Sequence, residues 1–251
     1  MKRIVFSLLA LLLAGAVQAQ TVVVAAAANL SALEKPLSDA FAAKNPGKSL
    51  QFTLGASGGL VTQITQGAPF QVFLSADRGF AQKLVDAGLA TGPVKTYAVG
   101  KLIFLATKPV DLSKGIAVVL DPAVAQYANC NPETAPYGKA ATDALIKAGL
   151  YDQVKAKQVT AQNIAQALQF TLTATNFGFV NKSALYSKEV QPYNVEGKFW
   201  FEVDPKLYAP IEQGYVVLKA AASLPEVKAF DEFLLSPEAQ KIFEAFGYGK
   251  P

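Results

Sequence analysis

Thr21-Val22-Val23-Val24-Ala25-Ala26-Ala27-Ala28-Asn29-Leu30-Ser31-Ala32-Leu33-Glu34 passes from an unbroken apolar run into a helix start. Thr21–Ala27 reads as a buried strand, because no polar residue alternates with the apolar ones. Ser31-Ala32-Leu33-Glu34 fits a capping box, which predicts a helix to about Lys44. The same order recurs downstream. Ser49–Leu54 reads as a second strand, Leu60–Gln66 as a short helix, Gln71–Ser75 as a third strand, and Phe80–Ala87 as a helix ending at Gly88. Strands alternating with helices predict a parallel sheet with helices on both faces. Ligands of such sheets bind beyond the carboxyl ends of the strands.

After about Gly100 the rhythm restarts. Lys101–Ala106, Ile116–Leu120, Phe177–Val180 and Tyr215–Leu218 read as strands. Gly138–Ala148, Asn163–Leu172, Leu224–Leu235 and Pro237–Phe246 read as helices. These are more strands than one small sheet needs, so two α/β lobes with a cleft between them are expected.

Lys2 and Arg3 precede an apolar run from Ile4 to Val17, and Val17-Gln18-Ala19 offers small residues for cleavage, so residues 1–19 read as a signal peptide. A spanning helix needs ~20 apolar residues, more than this run has. No Cys follows to take a lipid, and no later segment is long and apolar enough to span a bilayer. Losing Lys2 and Arg3 lowers the formal charge from +4 to +2. That bias is too weak to argue for nucleic acid. Cys130 stands alone, which excludes an internal disulfide and reads as a small buried hydrophobe. Two absences narrow the chemistry further. The chain has no His, and beyond Arg3 its only Arg is Arg78. The commonest general base and any multi-Arg clamp are both missing. A ligand must be held by backbone, hydroxyls, amides and helix dipoles.

Three strand-to-helix junctions could do so: Ala25-Ala26-Ala27-Ala28-Asn29-Leu30-Ser31, Gly55-Ala56-Ser57-Gly58-Gly59-Leu60 and Thr134-Ala135-Pro136-Tyr137-Gly138. Each presents free backbone N–H groups at a helix start, which is a ready anion site. Each also has a plainer reading, as close packing or an ordinary N-cap. Donors alone suit a fully ionised dianion, since nothing accepts a ligand proton. Gly55-Ala56-Ser57-Gly58-Gly59 also fits the G-x-S-x-G nucleophile elbow. That chemistry needs a base, and neither a His nor an S-x-x-K spacing from Ser57 supplies one. Asp77 and Asp121 sit just beyond strands, where carboxylates cap or pair, and no carboxylate cluster suggests a metal site.

At these junctions the chain resembles the periplasmic molybdate-binding proteins of ABC importers. The matching segments are Ala26-Ala27-Ala28-Asn29-Leu30, Gly55-Ala56-Ser57-Gly58-Gly59-Leu60, Gly67-Ala68-Pro69-Phe70-Gln71-Val72-Phe73-Leu74-Ser75-Ala76-Asp77, Asn131-Pro132-Glu133-Thr134-Ala135-Pro136-Tyr137-Gly138 and Phe233-Leu234-Leu235-Ser236-Pro237-Glu238-Ala239-Gln240-Lys241-Ile242-Phe243. They fall in order across the chain, and Gly67–Asp77 is the most specific. The resemblance implies a two-lobed type II periplasmic binding protein fold, with parallel-rich sheets, helices on both faces and two crossover strands. Lobe one would comprise residues 20–99 and 209–251, and lobe two residues 100–208. Asn29 and Ser57 would give side-chain and backbone donors, and Tyr137 and Ile164 backbone N–H groups. The Ile164 side chain has nothing to offer an anion. Ala28 stands where many members carry a hydroxyl, so it would give its N–H only. Asn181 stands where some relatives place a ligating Tyr, and is a further candidate. Cys130 is another departure. The implied ligand is molybdate or tungstate, a metal bound as its oxyanion, with no cofactor and no bare-cation site. The implied partner is the membrane permease of an ABC importer. A monomer in the periplasm is expected, neither an enzyme nor a nucleic-acid binder.

Other readings stay open. Sulfate or another tetrahedral oxyanion suits the same donors, because backbone N–H groups recognise shape and charge while cavity size selects. A ferric-iron binder, an exported Ser57 hydrolase and a structural or adhesive module are the alternatives from other classes. The lack of repeats and low-complexity segments speaks against the last.

Overall fold

In the computed structural model, which describes residues 20–251, the opening apolar run forms strand β1 (Gln20–Ala27). Its side chains alternate between two apolar layers. Val22, Val24 and Ala26 pack with Leu37, Phe41 and Phe230 on one face, and Ala25 packs with Leu60, Phe73 and Leu84 on the other. Burial on both faces explains the missing polar alternation. A 3-10 turn over Ala28–Leu33 then runs straight into helix α1 (Glu34–Lys44). The expected capping box is not made. Ser31 is exposed, and neither helical segment has a side-chain cap. The tight turn meets α1 end to end, so the N–H groups that a cap would satisfy are already inside helical structure.

Strand β2 (Lys48–Gly55), helix α2 (Ser57–Thr65), strand β3 (Val72–Leu74) and helix α3 (Arg78–Asp86) follow as the pattern predicts, with ends shifted by a few residues. Strand β4 (Ala90–Gly100) is an addition. Gly92 and Pro93 argue against a strand in the sequence, but β4 lies at a sheet edge, where a missing N–H breaks no ladder.

Strand β5 (Leu102–Ala106) again divides two layers, with Leu102, Phe104 and Ala106 on one face and Ile103 and Leu105 on the other. The strand expected at Ile116–Leu120 is instead part of a 3-10 helix, Leu112–Leu120. Asp111 caps it by accepting from Ser113 N at 3.1 Å, and Gly115 kinks it at φ 54°. Val118 and Val119 still reach the core. A short apolar run has no period that separates strand from helix. Strand β6 (Tyr127–Cys130) takes the sheet position, followed by helices α4 (Pro136–Lys147) and α5 (Tyr151–Val154) and strand β7 (Gln158–Ala161). Helix α6 (Ile164–Phe170), strand β8 (Phe177–Asn181) and strand β9 (Trp200–Glu202) complete this half. Strand β10 (Ile211–Leu218) and helices α7 (Pro225–Leu234) and α8 (Pro237–Ala245) end the chain.

Among the described residues the strands form two five-stranded sheets, β2-β1-β3-β10-β4 and β7-β6-β8-β5-β9. In the first, β1 runs parallel to β2 and β3, and β10 runs antiparallel to β3 and β4. The second repeats that plan, with β6 parallel to β7 and β8, and β5 antiparallel to β8 and β9. Two connections join the sheets. Lys101 alone separates β4 from β5, and the segment from β9 to β10 returns. This is the two-lobed type II binding-protein architecture. Aromatic packing anchors the first lobe: Phe41 meets Phe230 and Phe233 edge-on at 5.5 and 5.6 Å. Full burial of such a ring stabilises by about 1.5–3 kcal/mol.

Candidate functional site

Sheet register brings the junctions together. Ala27 pairs with Gly55 and Ala26 with Leu74, so the exits of β1, β2 and β3 lie side by side. Cys130 pairs with Ala161, so the exits of β6 and β7 do the same in the second lobe. The two sets face each other across a small cavity lined by Ala27, Ala28, Asn29, Gly55, Ala56, Ser57, Ala76, Ala135, Pro136, Tyr137, Asn163 and Ile164. About 10 Å³ inside is free to the centre of a water-sized sphere, room for about one water molecule. The lobes touch around it. Gly58 N donates to the Thr134 carbonyl at 2.9 Å, and a Cβ on Gly58 would meet Phe80 Cε1 at 2.9 Å and Thr134 Cα at 3.1 Å.

Four helical segments begin on this cavity: the 3-10 turn at Ala28 and α2 from one lobe, α4 and α6 from the other. Their local sequence leaves donors open. The N-cap residues of the first three are Ala27, Ala56 and Ala135, none of which makes a side-chain cap. Ala is among the poorest residues for that position, where Ser, Thr, Asp or Asn would occupy a free N–H. Pro136 at the start of α4 has no N–H, so Tyr137 carries the first donor there. In α6 the Asn163 side chain accepts from Gln166 N at 3.0 Å and leaves Ile164 N–H unused. By contrast α3 and α8, which begin elsewhere, are capped by Asp77 and Ser236.

Among the described residues no lining residue carries a charge. Each helix start contributes roughly half a positive charge, so the cavity is electropositive through dipoles alone. The Ser57 hydroxyl accepts from Ala76 N at 3.1 Å, which leaves its own proton to be donated. It has no base, since the only titratable lining group is the Tyr137 phenol, turned to Gln213 at 3.0 Å. Burial pushes that phenol far above its ordinary range, with neighbouring Tyr248 and Tyr97 adding to the shift. Among the described residues no group of three His, Cys, Asp or Glu side chains could hold a metal cation, and no helix is long and apolar enough to cross a membrane.

Of the residues singled out in the sequence, Ala28, Asn29, Ser57, Tyr137 and Ile164 all line the cavity and are nearly inaccessible. Asn181 does not line it. Its Nδ2 donates to the Asn29 carbonyl at 3.2 Å and to Ser183 Oγ at 2.6 Å, so it ties the lobes together behind the site. Asn29 lines the cavity, with its amide nitrogen bonded to residues that do not line it. Its Nδ2 is engaged by Gln213 and Tyr248 at 2.9 and 2.8 Å, and its Oδ1 is buried without a partner. As arranged here it gives the cavity no side-chain donor. Ala76 and Asn163 lie outside the three junctions and line the cavity as well. The signal for Asn163 was legible, as an N-cap residue directly ahead of Ile164.

Comparison with known proteins agrees with this geometry. The profile of the bacterial extracellular solute-binding protein family matches residues 22–249. The molybdate-binding protein ModA of Azotobacter vinelandii is 39% identical over 251 residues, 99% of this chain and 98% of that protein. ModA of Rhodobacter capsulatus is 40% identical over 230 residues, 90% of this chain and 87% of that protein. The solved structure of the Azotobacter vinelandii periplasmic molybdate-binding protein superimposes with a TM-score of 0.82 at 32% identity, covering 92% of this chain and 99% of that one. The chain therefore belongs to the bacterial extracellular solute-binding proteins, in the branch formed by the molybdate-binding proteins.

Proposed function

We propose that the protein captures molybdate or tungstate in the periplasm and delivers it to the permease of an ABC importer. One observation carries the reading: four helix starts with unused N–H groups converge on a cavity that has no charged lining residue. Hydrogen bonds to a charged partner contribute ~1.5–3 kcal/mol each, so Ala28, Ser57, Tyr137 and Ile164 N–H together with the Ser57 hydroxyl suffice for tight binding. A tetrahedral dianion offers an oxygen to each lobe. The names of the relatives support the ligand class, and their standing as extracellular solute-binding proteins supports export. The segment read as a signal peptide, residues 1–19, lies outside the described residues. In this reading the protein acts as a monomer, needs no cofactor and performs no catalysis.

Calorimetric titration with molybdate, tungstate, sulfate and phosphate tests the proposal. Molybdate and tungstate should bind well below 10 μM, which corresponds to about −7 kcal/mol. Weaker binding of both would overturn it, and preference for sulfate would redirect it to that anion.

A further inference from the structure

Gly58 and Gly59 follow Ser57 in the first turn of α2, and only the first is crowded. A Cβ on Gly59 meets nothing within 4 Å, whereas one on Gly58 meets Thr134 Cα of the other lobe at 3.1 Å. The Gly58 N–H, which the helix leaves without an acceptor of its own, donates to the Thr134 carbonyl at 2.9 Å. This bond stands in a wall. Ser57 and Ala135 line the cavity on its inner side. Phe80 and Glu133 line a pocket on its outer side, where Asp77 and Lys83 of one lobe face Lys139 of the other. Gly58 and Thr134 are half-buried between the two spaces. The wall is also remote from the crossovers. Helix α2 leaves the edge strand β2, three strand spacings from β10, or ~14 Å at about 4.8 Å each. Near the crossovers the lobes meet through side chains, as where the Ser183 hydroxyl donates to the Asn29 carbonyl at 3.1 Å. At this rim main chain meets main chain.

We propose that the Gly58–Thr134 bond is the latch that keeps a bound oxyanion from escaping, with Gly58 as the positioning residue that lets the lobes shut to hydrogen-bonding distance. The inference rests on the oxyanion reading above. A grip made of dipoles holds firmly only where water is kept out, because water weakens electrostatic attraction many-fold. The latch closes the wall at the side most exposed to opening, since rotation about the crossovers moves distant parts most. Any side chain at position 58 would act as a wedge. Phe80 Cε1, 2.9 Å from the added Cβ, is the far end of a side chain and can swing aside. Thr134 cannot. Its turn is braced by Asn131, whose carbonyl accepts from Thr134 N at 3.3 Å and Ala135 N at 2.9 Å, and whose side chain accepts from Glu133 N at 2.9 Å. The lobes must therefore part instead. Each lobe keeps its own donors in place, so entry of the anion is unaffected and its escape is faster.

Radiolabelled molybdate, loaded on the protein and chased with excess unlabelled tungstate, measures that escape. Gly58→Ala should release the label about tenfold faster, the worth of one hydrogen bond, and weaken the calorimetric affinity by the same factor. Gly59→Ala makes the same chemical change one residue on, outside the cavity lining and without a clash, and should release the label at the original rate. Adding Phe80→Leu to Gly58→Ala removes the crowding within lobe one and leaves Thr134 in the way, so release should stay fast. Release at the original rate from Gly58→Ala, or slow release restored by Phe80→Leu, would overturn the latch. If the unaltered protein retains no molybdate, the oxyanion reading falls and takes this inference with it. Should Gly58→Ala not fold, hydrogen exchange decides: the Gly58 amide of the unaltered protein should exchange more slowly once molybdate is bound, and an unchanged rate would overturn the proposal.

Discussion

Ser57 accepts from Ala76 N and has no other partner among the described residues, so its proton is free for a guest in the cavity. Ser57→Ala should weaken tungstate binding by about 1–3 kcal/mol, because a donor to a desolvated charge is lost. Calorimetry reads this directly, and an unaltered constant would take the hydroxyl out of the site. Cys130 is the opposite case, a reactive atom with nothing to react with. It is fully buried, and desolvation pushes its thiol up to about 12. A thiol reagent at pH 8 should label the folded protein far more slowly than the unfolded one, since only the thiolate attacks; equal rates would contradict the burial. Ser57 was legible in the sequence because its turn is local, a Gly-rich step between strand and helix. Gln213 was not, because its partners Asn29, Tyr97 and Tyr137 lie 184, 116 and 76 residues away along the chain. No local pattern marks a residue whose role is made entirely by distant contacts.

The start of α4 shows how an element aims a donor. Pro136 sets its first turn, and Gly138 lets that turn lie directly on the end of β6, where a Cβ would collide with the Cys130 carbonyl and come within 3.1 Å of Asn131 C. Gly138→Ala must therefore push α4 outward and carry the Tyr137 N–H with it. A loss of at least about tenfold in tungstate affinity is expected, comparable to one charge-assisted hydrogen bond. The melting temperature should fall as well, and an unchanged affinity would show that α4 can shift without disturbing the site. Elements of this kind were readable wherever punctuation was strong: β1, β2 and α3 follow from apolar runs bounded by Gly, Asn or Asp. Reading failed where two signals conflicted. Gly92 and Pro93 hid β4, whose edge position tolerates both. Ile116–Leu120 looked like a strand because five apolar residues carry no usable period, and the Asp111 cap that decides the matter lies outside the run. The capping box at Ser31 failed because a 3-10 turn had already begun at Ala28.

Across the whole molecule the cavity exists only where the lobes meet, with Ala27, Ala28 and Ala76 of one packed into the same apolar cluster as Ala135, Tyr137 and Ile164 of the other. Ligand that binds this arrangement and not the unfolded chain must raise the melting temperature. At a hundredfold excess over the dissociation constant the gain is about 2.7 kcal/mol, or roughly 5–10 °C for a chain of this size. Scanning calorimetry at several tungstate concentrations should show the shift growing with concentration, and a constant midpoint would contradict it. The apposed helix starts have one more consequence. With no fixed cation among the lining residues, nothing in either lobe alone forms a lasting counterion. Prising the halves apart leaves the guest with a few dipoles on one wall and water on the other, so a firm hold becomes a weak one without any covalent bond being broken or any proton moved. Unloading is then a mechanical act: whatever spreads the jaws also empties them.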